Sequence, residues 1–519
     1  MKTILPILAL LVFFGCTRNR ENTVGSEVPV TYYTEQFRPQ YHFTPDSMWM
    51  NDPNGMVYYE GEYHLFYQYY PDSTVWGPMH WGHAVSPDML HWEHLPIALF
   101  PDDYGYIFSG SAVVDENNTS GLGENGKAPL VAIFTYHDPV GAANGKVDYQ
   151  NQGLAYSNDK GRTWTKYGEP VLKNPGIIDF RDPKVSWREE FNKWIMTLAV
   201  QDHIEFYSSS NLIDWEKTGE FGKETGVHGG VWECPDLFPA KVEGTDETKW
   251  ILLVSINPGG PFGGSATQYF VGDFDGKTFT TSQKQIKWLD HGSDNYAGVT
   301  WSGIPKSDGR ILFLGWMSNW LYAQVVPTER WRSAMTLPRQ LKLEENDGDY
   351  LLASLPVNEL KKLRLSELKP QITEVSGNVL VHTENTEVMR SEIQFEFGLN
   401  KSENEFGIQL SNKKGEKVKI AYSDTNGGVY IDRTEAGISN FSNDFAAIHK
   451  VAYQPGTDMK FHIFVDEASV EIFIDDGKLV MTDILFPTIP YNKVELFSTK
   501  GSVHVTFSRI WELASVWLP

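Results

Sequence analysis

Three short segments place a carboxylic acid among residue types that packing alone does not explain: Trp49-Met-Asn-Asp52-Pro-Asn-Gly55, Phe180-Arg-Asp182-Pro-Lys184 and Trp232-Glu233-Cys-Pro-Asp236. In the first, Pro53 and Gly55 force a turn and fix the direction of the Asp52 side chain. The second repeats the device, an acid followed by proline, with Arg181 beside it. In the third, Glu233 stands between an aromatic and a small apolar residue, a setting that favours the neutral acid. Taken singly, the first two read as Asx-turns or a surface ion pair. Taken together, one hydrogen-bonded, ionised carboxylate and one protonated carboxyl form the pair that glycoside hydrolysis requires.

Those acids need a scaffold that brings distant segments to one place. Between about Tyr32 and Arg339 no long stretch repeats every 3.6 residues; Gly, Pro, Asn and Asp punctuate short runs of Tyr, Phe, Trp, Val and Ile. The expected fold class is all-β. A degenerate turn ending on an aromatic recurs at Ser86–Trp92, Ser157–Trp164, Ser209–Trp215 and Asp273–Phe279. Units of about 50 to 70 residues fit four-stranded propeller blades, about five over this span. Corresponding positions of successive blades converge on one end of the central channel, which would gather the three acids. After Pro338 the texture turns acidic, and then alternating strands such as Lys460–Val465 and Ser469–Ile474 close on Asp475-Asp-Gly477. The expected organisation is 1–31 signal and tether, 32–340 five-bladed β-propeller, 341–359 linker with a short helix near Asn358–Leu365, and 360–519 β-sandwich.

The chain has 519 residues, 41% of them hydrophobic, and 44 basic against 67 acidic side chains give a net charge of −23. No excess of cations exists to neutralise phosphates, so nucleic acid is excluded as a partner. The apolar run Ile4–Phe14 is about half of the roughly 20 residues a membrane span needs and reads as an export signal. It stops at Gly15-Cys16, which resembles a bacterial lipoprotein processing site, with Cys16 lipidated and the membrane reached through that anchor alone. Cys234 is then the one remaining thiol, so the mature chain holds no internal disulfide, and its acidic neighbour Glu233 argues against a nucleophile. His64, His80, His83, His91 and His94 invite a metal reading, but spacings of three place strand residues on opposite faces. No metal or cofactor is expected, and the oligomeric state is left open.

The segments WMNDPNG at 49–55, FRDPK at 180–184 and WECPD at 232–236 resemble the hallmark motifs of the retaining β-fructosidases of glycoside hydrolase family 32, which include levanases, inulinases and invertases. Gln68, Trp76, Phe108, Ser109 and Trp316 fall in further segments like the family's. The resemblance implies a fructan substrate, levan or inulin with sucrose as a smaller possibility. It implies Asp52 as nucleophile, Glu233 as acid/base and Asp182 as transition-state stabiliser. Trp49, Asn51, Gln68, Trp76, Phe108, Ser109, Arg181 and Trp316 would bind one fructosyl unit. The alternatives are endo- rather than exo-attack, another propeller glycosidase, or a glycan-binding lipoprotein without catalysis. The first is left open by the motifs. Sialidase-type propellers need an arginine cluster that is sparse here, and the intact acid trio argues against a non-catalytic chain.

Overall fold

The computed structural model describes residues 33–346, 348–383, 388–399, 405–425 and 427–517. The expected signal, the tether and Cys16 lie outside the described residues. Short aromatic and β-branched runs form antiparallel strands that turn at Gly, Asn and Asp, as their pleat-fitting side chains favour. Five sheets follow one another along the chain. They run from Met48–Tyr59 to Glu93–Leu99, Tyr106–Val114 to Thr165–Lys166, Phe180–Arg188 to Glu216–Phe221, Val231–Lys241 to Phe279–Thr280, and Tyr296–Thr300 to Asp349–Pro356. The first strand of each blade neighbours those of the blades beside it. The ring closes where Met48 and Trp49 pair in parallel with Trp331 and Arg332. At the same seam Tyr58 N–H donates to Ser302 O (2.8 Å) and Ser302 N–H to Met56 O (2.9 Å). This is the expected five-bladed β-propeller.

Residues 341–359 are not the expected linker. Arg339–Asn346 and Asp349–Pro356 pair from Arg339↔Pro356 to Asn346↔Asp349 and complete the fifth blade. The acidic run that suggested a linker falls at the end of this hairpin, where Glu345 and Asp349 are exposed. Beneath it the strand alternation is present, with Leu341 and Leu343 buried and Lys342 between them half-buried. A single 3-10 segment, Asn358–Leu363, then leads to the second domain. There the 21-residue strand Lys493–Leu513 pairs through its first half with Glu405–Ser411 and through its second with Ser391–Gly398. One strand thus serves both layers, turning near Gly501, whose φ of 71° suits glycine. Ile408, Leu410 and Ile420 of one layer meet Ile393, Phe395 and Ile463 of the other in one core, a sandwich arrangement.

The two domains meet through buried charge as well as apolar surface. Leu360, Leu363, Phe464, Phe473, Val480 and Leu513 join the propeller's largest core. Fully buried Arg339 of the fifth blade donates to Asp290 (2.9 Å), Glu471 (2.5 Å) and Thr482 (2.7 Å). Arg433 reaches back from the sandwich to Asp294 at 2.7 Å. The segment between lies against strand Leu479–Ile484, with His291 N–H donating to Val480 O (2.7 Å) and Asp294 N–H to Thr482 O (3.0 Å). Gly292 allows that approach, because a Cβ there would stand 2.2 Å from Thr482 O.

His42 sits between Asp466 (Nδ1, 2.7 Å) and Glu471 (Nε2, 2.9 Å). Burial pulls its pKa down, but the hydrogen bonds to Asp466 and Glu471 win and hold it at about 9. A raised folded value stabilises fully below the unfolded value of about 6.5 and loses that contribution as pH rises through the folded one. Thermal midpoints from pH 6 to 10 should therefore fall less for His42→Gln, which starts lower, than for the unsubstituted chain. Parallel curves would show that the imidazolium contributes nothing.

Candidate active site

Every innermost strand breaks register at the same level. Two residues stand unmatched against one partner within Asn51-Asp52-Pro53, Phe108-Ser109-Gly110, Arg181-Asp182-Pro183, Glu233-Cys234-Pro235 and Tyr296-Ala297-Gly298. The third residue is Pro or Gly each time. Proline has no N–H for the ladder, and at Gly110 a Cβ would meet Ile133 O at 2.2 Å. A bulge re-aims side chains that would otherwise alternate. Asp182 (φ 64°), Cys234 (φ 45°) and Ala297 (φ 54°) adopt left-handed backbone there, strain typical of functional positions.

Asp52 accepts from Ser109 Oγ (2.7 Å) and Asn51 Nδ2 (3.0 Å), and Cys234 Sγ lies 3.6 Å from the same Oδ2 that Ser109 holds. Trp49 Nε1 donates to Asn51 Oδ1 at 2.8 Å and so fixes which end of the amide faces Asp52. Burial and the nearby Glu233 charge push the Asp52 pKa up, against these donors. The Cys234 thiol is pushed well up by burial and by Asp182 and Asp52, which leaves it a neutral donor.

Glu233 does not sit in the apolar setting its sequence neighbours suggested. Trp232 turns away into the core between blades and donates from Nε1 to Val227 O. Arg181 instead donates to Glu233 Oε1 from Nη2 (2.9 Å) and Nε (3.2 Å), and Tyr296 OH donates to Oε2. Arg181 is oriented by Asp179, 2.5 Å from Nη1. Asp182 Oδ2 accepts from Cys234 N–H (3.1 Å), while its own N–H donates to Thr135 Oγ1 (3.0 Å). Burial, with Glu233 and Asp52 adding, outweighs Arg181 and pushes the Asp182 pKa up to about 7.

These groups line one cavity of about 320 Å³, walled also by Gln68, Trp76, Phe108, His137, Tyr149, Gln150, Trp320 and Gln324. Of the residues expected to bind substrate, Asn51, Gln68, Trp76, Phe108, Ser109 and Arg181 are at the wall. Trp49 and Trp316 are not: both are fully buried behind it. They pack on Trp320, ring centroids 5.7 and 5.0 Å away, and Trp320 takes the wall position. Tyr296, His137, Tyr149, Gln150, Trp320 and Gln324 escaped the sequence reading. Tyr296-Ala-Gly298 had a signal, since it repeats the bulge tripeptide. The histidines expected to be structural scatter: His64 Nδ1 faces His83 Nε2 at 3.1 Å, His80 bonds Pro78 O, His91 bonds Asp88 and His94 bonds Tyr33.

Comparison with known proteins matches the model of the glycosyl hydrolases family 32 N-terminal domain to residues 42–354 and that of the family 32 C-terminal domain to residues 359–512. The chain is 49% identical over 497 residues to the levanase of Bacillus subtilis (strain 168), covering 94% of this chain and 72% of that protein. The crystal structure of exo-inulinase from Aspergillus awamori is similar at TM-score 0.86 and 35% identity, covering 94% of this chain and 100% of the other. The fructofuranosidase of Schwanniomyces occidentalis complexed with fructose is similar at TM-score 0.84 and 32% identity, with 93% and 100% covered.

Crowding the acids has a stability consequence. With its pKa raised to about 7, folded Asp182 keeps a proton that the unfolded chain loses near pH 3.9, so this residue's contribution falls as pH rises between those values. Asp182→Asn, which can still accept from Cys234 N–H, should raise the thermal midpoint at pH 8 and leave it nearly unchanged at pH 4. Equal midpoints at pH 8 would contradict the raised value.

Proposed function

The chain belongs to glycosyl hydrolase family 32, and from that premise we propose that it hydrolyses β-D-fructofuranosyl linkages of fructans, levan or inulin, by double displacement. One observation carries this reading: Asp52 and Glu233, from blades one and four, share a small cavity yet have opposite partners. Asp52 is held by neutral donors, which leave it nucleophilic, whereas Glu233 is held by a cation and a phenol.

Asp52 attacks C2 of the fructosyl unit. The C2–O bond to the departing sugar breaks, and its electron pair goes to that oxygen, which takes a proton from Glu233. Water then attacks C2 of the ester, gives its proton to Glu233, and Asp52 leaves as the carboxylate. Arg181 engages Oε1 only, so Oε2, held by Tyr296, is the atom that carries the proton. Asp182 accepts from ring hydroxyls and faces the positive charge that develops at C2. Trp76, 37% exposed, and Phe108 give the sugar an apolar wall. The small volume of the cavity, about 320 Å³, supports attack on a chain end rather than mid-chain.

Incubation with levan, inulin and sucrose should yield fructose from the chain end; a ladder of oligosaccharides would overturn exo-attack. Asp52→Ala and Glu233→Ala should lower kcat by at least about 10²-fold while keeping a cooperative thermal transition. Unimpaired turnover in either variant would sink the mechanism.

The chain is also proposed to be exported and anchored by lipid at Cys16, supported by the Ile4–Phe14 run ending at Gly15-Cys16. Cys16→Ala should move the enzyme from the membrane fraction to the soluble one. An unchanged distribution would remove the anchor.

A further inference from the structure

His137 ends strand Leu130–His137 and lines the cavity, yet none of the steps above uses it. Its ring lies face to face on Phe108, centroids 4.3 Å apart and planes 5° from parallel, with Tyr149 edge-on at 5.3 Å. The ring plane is therefore set by packing.

Its tautomer is set as well. Phe180 N–H donates to Gln150 Oε1 at 2.8 Å. A backbone amide nitrogen only donates, so the opposite end of the Gln150 side chain is the NH₂. That NH₂ stands 3.3 Å from His137 Nδ1, which must accept, and the ring proton resides on Nε2. Buried Gln150 has little freedom to change this. Its neighbour on the same face, Gln152, donates to Phe180 O (2.9 Å) and accepts from Thr135 Oγ1 (2.7 Å), so both polar groups of Phe180 are clasped. Burial, with Arg181 nearby, lowers the His137 pKa to about 4, so the ring is neutral at physiological pH.

Strand register gives the depth of this donor. Thr135, two residues inward on the same face, reaches Asp182 N–H and marks the level of the reacting carboxylates. Two strand residues span about 7 Å, so His137 stands about one sugar ring nearer the mouth. Among the described residues no acceptor meets its Nε2.

We propose that His137 reads the leaving group. Its Nε2–H donates to a hydroxyl oxygen of the sugar beyond the scissile bond, the glucosyl unit of sucrose or the penultimate fructosyl unit of a fructan. This rests on the fructosidase reading above. Gln150 is the positioning residue that keeps the proton on Nε2.

The test compares sucrose and a short inulin-type oligosaccharide with p-nitrophenyl β-D-fructofuranoside, whose leaving group offers no sugar hydroxyl. His137→Phe keeps the stack on Phe108 and lacks the donor. The ratio of kcat/KM for either sugar substrate to that for the aryl fructoside should drop about tenfold. His137→Gln, with an amide N–H, should recover part of the ratio. The pH limbs for sucrose should stay in place in both variants. An unchanged ratio, or a loss shared equally by all substrates, overturns the proposal. So does a shifted basic limb, which would mean that His137 acts through Arg181 and Glu233. If the unsubstituted protein cleaves none of the three, the fructosidase reading itself fails.

Discussion

The site depends on a single backbone constraint: consecutive residues of the innermost strands must face the same way. A regular strand sends neighbours to opposite faces, so a propeller of regular strands could offer one residue per blade at any level. The register break in each blade doubles that number. Asn51 joins Asp52, Phe108 joins Ser109, Arg181 joins Asp182, and Glu233 joins Cys234 around the same opening. Left-handed backbone at Asp182, Cys234 and Ala297 costs of order 1–3 kcal/mol each, and is held by the sheets on either side.

The same convergence determines the electrostatics. Burial, with three carboxylates brought close together adding to it, makes Asp52 and Asp182 both titrate high. Arg181 answers only part of this, because it is committed to Glu233 and Asp179. Its placement gives different surroundings to acids that the sequence presents alike. Asp52 meets neutral donors only, whereas Glu233 meets one cation, Arg181, and the phenol of Tyr296. The thiol between them is a bystander that donates weakly to both aspartates.

Much of this was legible in the sequence, for physical reasons. Proline turns fix the direction of the acids, and a turn ending on an aromatic recurs blade by blade, so the three acids and the five blades were legible as pattern. Ser109-Gly110 and Ala297-Gly298 carry the same break without an acid or a proline to mark it; Phe108 and Ser109 were expected at the site through the family resemblance alone. Trp49 and Trp316 were misplaced because type does not reveal depth: an indole suits a sugar floor and a core equally well. Glu233 was misjudged because Trp232 points away from it, while its real partners come from 52 and 63 residues away. The final hairpin of blade five was hidden by the acidic tip that interrupts it. His137 and Gln150 had no signal, since their function lies in a hydrogen-bond chain across two blades.

The junction of the two domains has a bearing on the order in which the molecule can be assembled. His42 lies just before the first blade, and the carboxylates that hold it, Asp466 and Glu471, arrive 424 and 429 residues later. Arg339 likewise waits for Glu471 and Thr482. A ribosome delivering this chain releases all five blades before any of those partners exist. The ring's seam needs nothing beyond Arg332 and is free to close early, but His42 and Arg339 stay without these partners until the sandwich strands that carry them emerge.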